Sequence, residues 1–216
     1  MNTAVIPLQV RQLELPHDLQ SVLNGNCTNC VANSIASFYW IDIGFIPVTS
    51  GRVAPFDPMM LGTIDAFEHQ IETGDYALRL LIACFDNGDE RVAASILVLD
   101  DGLPTSWQIA NLDNGDSEFS VDSGTAGIAD MDAINAYESK LDDNNDYFQR
   151  VSDAMDESYR HTRSWAIHAV GGDRDCCIAA YSSGHGDGCY TSYWGHSNDG
   201  LLTWLLTDFE MLNNAE

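Results

Sequence analysis

Two apolar runs meet across a short polar hinge: "DYALRLLIACF" (Asp75–Phe85), then Asp86-Asn87-Gly88-Asp89, then "ERVAASILVLDD" (Glu90–Asp101). Asn-Gly is the preferred centre of a two-residue hairpin, because both residues tolerate the positive φ that matches the twist of antiparallel strands. The hinge therefore predicts two paired core strands turning at Asn87-Gly88. The same punctuation recurs along the chain. Asp113-Asn114-Gly115-Asp116 separates expected strands at Ser106–Ala110 and Glu118–Val121, and Ser197-Asn198-Asp199-Gly200 separates Cys189–Trp194 from Leu201–Phe209. Further strands are expected at Ser164–Ala169 and Cys176–Ser182. "GFIPVTSGRVAPFDP" (Gly44–Pro58) reads as a tight hairpin turning at Ser50-Gly51.

Between these strands the period changes. From Ile128 to Ser158 apolar residues fall at 131, 133, 134, 137, 141 and 148, without proline, which predicts one or two helices with a solvated acidic face. Asp142, Asn144, Asp146 and Asp153 take calcium-loop positions there, but Tyr147 stands where such a loop needs glycine. The expected fold is α+β and mainly antiparallel β, a sandwich-like or strongly curved sheet with a helical insertion at about 128–158. Residues 1–45 read as an N-terminal arm, in which 1–24 is either irregular or holds a short helix around Asp18 to Leu23, and 46–216 as a single β-rich domain.

Charge narrows the function classes. The formal net charge is -24, from 33 acidic residues against nine basic ones, with Lys140 the single lysine. Direct nucleic-acid binding is disfavoured, since that affinity rests on Lys and Arg neutralising phosphates. The acidity fits solubility, a salty cytoplasm, or a surface that steers in a basic partner. No apolar run approaches the length of a membrane span, and the first residues lack a basic start followed by an apolar stretch, so the expected location is cytoplasmic. The six cysteines, at 27, 30, 84, 176, 177 and 189, then read as free thiols. Cys27 and Cys30 have the spacing of half a zinc knuckle, and no second pair follows.

"PVTSGRVAPFDP", "GDYALRL", "RVAASILV", "VDSGTAGIAD", "GHGDGCYTSYWG" and "LLTDF" occur in this order, and together they resemble the bacterial family labelled domain of unknown function 4241. The likeness covers roughly Ile46 to Phe209 and departs from the family pattern at Thr191, where proline is more usual, and in the N-terminal arm. The family has no settled reaction, so the resemblance implies a fold and the location of a site, not a chemistry.

The candidate site lies in these motifs. Gly184, Gly186 and Gly188 permit a tight turn around His185 and Asp187, while Asp122, Ser123 and Thr125 end another apolar strand. Carboxylates in such places need hydrogen bonds, a metal or a ligand. The expected arrangement brings Asp122 and Asp187 to one polar depression walled by Tyr190 or Trp194, with Ser123, Thr125 and His185 nearby. Two functions follow. One is an acidic, non-catalytic binding protein of the immunity or antitoxin type, whose carboxylates meet a basic partner such as a toxin and whose Tyr190, Tyr193 and Trp194 supply aromatic contacts. The alternative is a small hydrolase or ligand-binding enzyme that uses Asp122 and Asp187 as an acid–base pair, with or without His185 and a divalent metal. No cofactor motif is present.

Overall fold

A computed structural model of the chain describes residues 19, 20, 23, 35–144 and 146–211. Its elements run in the order β1 (Ile35–Val48), β2 (Val53–Phe56), β3 (Gly74–Phe85), β4 (Glu90–Val98), β5 (Ser106–Ile109), β6 (Glu118–Val121), β7 (Thr125–Asp130), α1 (Met131–Asp143), α2 (Phe148–Asp156), β8 (Trp165–Ala169), β9 (Cys177–Ser182), β10 (Gly188–His196) and β11 (Leu202–Asp208). All strand pairs are antiparallel. The fold is α+β and mainly antiparallel β. A seven-stranded sheet has the order β1-β3-β4-β11-β10-β5, with β6 on β10 as well, and a four-stranded sheet has the order β2-β7-β9-β8.

The sheets stack as a sandwich. Leu78, Leu80 and Ile82 of β3 and Leu205 of β11 point inward to meet Ile128 of β7 and Tyr181 of β9, all at most 2% exposed. Each such aliphatic side chain contributes about 2 kcal/mol on burial. The other face of the small sheet is covered by α1 and α2 through Ile134, Tyr137, Val151 and Met155. On the outer face of the large sheet, Leu19 and Met211 pack with Leu81, Ile96, Trp107 and Leu206.

Three turns share one geometry. In each, an i to i+3 bond closes on a glycine, and a second bond returns from the residue after it: Gly88 N to Phe85 O with Phe85 N to Asp89 O, Gly115 N to Leu112 O with Leu112 N to Asp116 O, and Gly200 N to Ser197 O with Ser197 N to Leu201 O. Those glycines have φ of 86°, 89° and 83°. This is a three-residue loop with a left-handed glycine, so β3 and β4 pair as expected while the turn is one residue longer than the Asn87-Gly88 reading.

The structure corrects three expectations. The 44–58 segment is no hairpin: β1 pairs with β3 and β2 with β7, so Thr49–Arg52 is a corner that carries the chain from one sheet to the other. The Asp130 carboxylate holds that corner, accepting from Thr49 N, Ser50 N and Ser50 Oγ at 3.2, 3.0 and 2.8 Å. Helix starts at Met131, not Ile128. Residues 125–130 are a strand buried on both faces, which gives the continuous apolar run of small residues that helix and buried strand share. At Gly127 an added Cβ would sit 2.7 Å from Ala179 O, so this central strand admits no larger residue there. The helical stretch ends at Asp156. Finally, β1 runs through the expected arm boundary at 45/46, because Ile35–Phe45 pairs with β3. Leu19, Gln20 and Leu23 are helical, whereas Cys27, Cys30 and the first 18 residues lie outside the described residues.

Candidate functional site

Asp57 organises the region around Asp122. It follows β2, is 6% exposed, and accepts five hydrogen bonds. Met59 N and Met60 N reach Oδ1 at 2.9 and 3.0 Å, and Asp122 N and Ser123 N both reach Oδ2 at 2.9 Å. Ser123 Oγ donates to Oδ1 at 2.6 Å. A buried carboxylate needs this many partners, and here it draws them from a loop 65 residues away. The Ser123 hydroxyl is thus committed to the clamp and also accepts from Thr125 N at 3.3 Å. Thr125 itself is buried at the start of β7.

The Gly184–Gly188 loop lies against this one. Val121 pairs with Gly188, and Ser183 N donates to Gly124 O at 3.1 Å. Its shape is held from within: Tyr190 Oη and Ser183 Oγ donate to Gly186 O at 2.7 and 2.8 Å. Gly184 has φ of 48°, and a Cβ there would lie 2.7 Å from Phe209 O, so the loop packs on the end of β11. His185 and Asp187 stand exposed at its tip.

The depression beside Asp122 has a volume of about 220 Å³. Its lining joins Phe56, Ile64, Leu112 and Phe119 with Asp57, Asp65, Asp116, Glu118 and Asp122, and Met60 stands at it 59% exposed. Asn114 Nδ2 bridges Asp65 Oδ2 and Asp116 Oδ2 at 3.0 and 2.9 Å, aligning two of the carboxylates. Among the described residues, the lining holds no lysine or arginine. An apolar base beneath carboxylates suits a group with an aliphatic stem and a cationic end.

Asp187, Tyr190 and Trp194 are not part of this lining. The two rings are core. Tyr190 is 5% exposed and packs edge-on against Phe209, with centroids 4.9 Å apart. Burial raises its hydroxyl pKa, against the lowering effect of the bond to Ser183. Trp194 is 4% exposed and packs on Phe67 and His69, at the base of a second depression of about 270 Å³ that also includes Glu68, Gln108 and His196. Tyr193 faces the opposite side of the sheet, half-buried with the outer cluster. The expected wall and the expected aromatic contact surface are therefore replaced by core packing, since residues 190 and 194 share the inward face of β10. Sequence reasoning missed Asp57, Asp65, Asp116 and Glu118. The DP dipeptide at Asp57-Pro58 and the Asp113–Asp116 turn carried the signal but were read as chain punctuation.

Two other buried acids differ sharply. Burial raises the Glu90 carboxyl, but hydrogen bonds from Tyr39 (2.7 Å) and Arg163 (2.9 Å), with the charges of Arg163 and Arg160, outweigh it and hold the pKa below the ordinary value. Asp208 at the end of β11 accepts one bond, from Glu210 N at 2.9 Å, and burial pushes its pKa up to about 6. Among the described residues, no group of three or more His, Cys, Asp or Glu is arranged to hold a metal ion.

A family model described as "Protein of unknown function (DUF4241)" matches residues 46–207. The chain belongs to this family. In this DUF4241 protein the match begins within β1 and ends within β11, so it takes in both helices, both sheets and the Asp57 clamp. No curated protein and no solved structure matches the chain. No helix among the described residues is long and apolar enough to cross a membrane.

Proposed function

We propose that this chain is an acidic, non-catalytic binding protein of the immunity or antitoxin type, and that the depression beside Asp122 receives a lysine or arginine side chain of a basic protein partner. The observation that carries the reading is the composition of that depression: an apolar base of Phe56, Leu112 and Phe119 under the carboxylates of Asp65, Asp116, Glu118 and Asp122. The stem of the incoming residue covers the rings, and its cation replaces water at the carboxylates. The net charge of -24 supports it from longer range, by accelerating encounter with a basic surface. The same charge argues against direct nucleic-acid binding. The reading assigns the protein to the cytoplasm, in keeping with the unbridged Cys84, Cys176, Cys177 and Cys189.

The test is an NMR titration of the full chain with an arginine-rich peptide at two salt concentrations. Amide shifts should concentrate at residues 57–65, 112–116 and 118–123, weaken with salt, and shrink in the Asp65→Asn/Asp116→Asn/Asp122→Asn variant. Shifts spread evenly over the acidic surface, unaltered by the triple substitution, would reject the assignment.

A further inference from the structure

β1 is the outer strand of the large sheet, and no strand among the described residues pairs with its free side. An open edge presents unpaired N–H and C=O groups that template another strand, and proteins blunt such edges with lysine, proline, bulges or inward charges. β1 has register shifts between Ile35 and Ser37 and between Asp42 and Gly44, with its proline beyond them at Pro47. Between the two shifts, Ser37–Asp42 ("SFYWID") forms a regular ladder without bulge, proline or lysine. Phe38, Tyr39, Trp40 and Ile41 are all strong strand formers.

The faces of this stretch are distinct. Tyr39 and Ile41, opposite Ile82 and Leu80, pack on the main core. Phe38 and Trp40, opposite Ala83 and Leu81, lie on the outer face, where Trp40 is 41% exposed and Phe45 beyond the bulge is 63% exposed. Charge selects the occupant. A chain at -24 repels its own copies over most of its surface, yet along Ser37–Asp42 the one ionised side chain is Asp42, already paired with Arg79 at 2.6 Å. The stretch is also self-complementary. Antiparallel pairing about Tyr39 sets Phe38 of each copy opposite Trp40 of the other on one face and keeps the two Asp42 carboxylates apart, and cross-strand aromatic pairs stabilise a sheet.

We propose that two copies of this chain pair antiparallel through the Ser37–Asp42 edge of β1, joining their large sheets into one continuous sheet. This interface is separate from the acidic depression and does not rest on the binding reading. Sedimentation equilibrium of the full chain across micromolar concentrations should show a dimer. Trp40→Lys should raise its dissociation constant at least about tenfold, as loss of an interface tryptophan does, with far-UV circular dichroism unchanged, with a melting temperature equal to wild type at concentrations below the wild-type dissociation constant, and with faster hydrogen exchange in β1 where the wild type is dimeric. If Trp40→Lys lowers the melting temperature, Ser37→Lys, at an exposed position in the same stretch, supplies the comparison. A wild-type chain that stays monomeric overturns the proposal, and protected β1 amides in that monomer would assign the edge to another part of the chain itself. A dimer that survives both lysine variants overturns it too.

Discussion

Asp57 and Asp122 line one depression. Asp57 is 6% exposed and spends both carboxylate oxygens on five hydrogen bonds. Asp122 is exposed, and its backbone amide, not its carboxylate, enters that network. The same contrast separates Asp130, buried and bonded to the 49–52 corner, from Asp187, exposed at a loop tip. Every one of these residues ends or directly borders a strand. What distinguishes them is how many donors the fold aims at the carboxylate. Saturated carboxylates hold loops in place, and exposed ones remain available to a partner.

Removing the saturated acids should have the largest effect. Asp57→Ala leaves the amides of Met59, Met60, Asp122 and Ser123 without their acceptor, and is expected to lower stability by about 3 kcal/mol. Urea unfolding measures this, and a loss too small to shift the midpoint would mean that water serves the loop equally well. Asp130→Ala should cost about 2 to 3 kcal/mol, since it removes both the corner clasp and the N-cap bond to Asp132 N at 2.9 Å. Far-UV spectra would locate part of that loss in helix content.

Asp208 sharpens the comparison from the opposite side, as a buried acid with too few donors. Its folded pKa of about 6 lies above the ordinary 3.8, so the folded state holds the proton more tightly between those values. Its contribution to stability is complete below about pH 4 and is lost as pH rises through 6. Asp208→Asn should therefore stabilise the protein by about 2 to 3 kcal/mol at pH 7.5 and change little at pH 4. Equal effects at both values would remove burial as the cause. The smallest effects belong to the exposed acids: Asp122→Asn and Asp187→Asn should each leave stability within about 0.5 kcal/mol. Under the proposed function they separate in calorimetry, with Asp122→Asn weakening the arginine-rich peptide severalfold and Asp187→Asn leaving it unchanged.

Much of the fold was legible because its strands are apolar runs bounded by Gly-containing turns. β6 falls on Glu118–Val121 as read, and the β3–β4 and β10–β11 hairpins close on Gly88 and Gly200. β7 was not legible, because a strand buried on both faces loses period-two alternation and its Ala and Gly residues also suit a helix. Within the candidate site, the approach of the Gly184–Gly188 loop to Val121 followed from the motifs. The distinction between Asp57 and Asp122 did not, since it depends on a contact 65 positions apart in the chain. The inward direction of Tyr190 and Trp194 was half visible: their even spacing places them on one face, but only the second sheet decides which face is buried.

The order in which the chain visits its two sheets limits how it can be divided. It begins in the large sheet with β1, crosses to the small one for β2, returns for β3 to β6, crosses again for β7 to β9, and closes in the large sheet with β10 and β11. A cut anywhere from residue 57 to residue 187 leaves each fragment with strands from both sheets or without their neighbours, and neither piece can bury its apolar face alone. Split halves should therefore be unstructured apart and regain structure only when mixed. Unfolding should be all-or-none, with the pairing of β4 to β11, over a hundred residues distant in the chain, slowing the search for the native state.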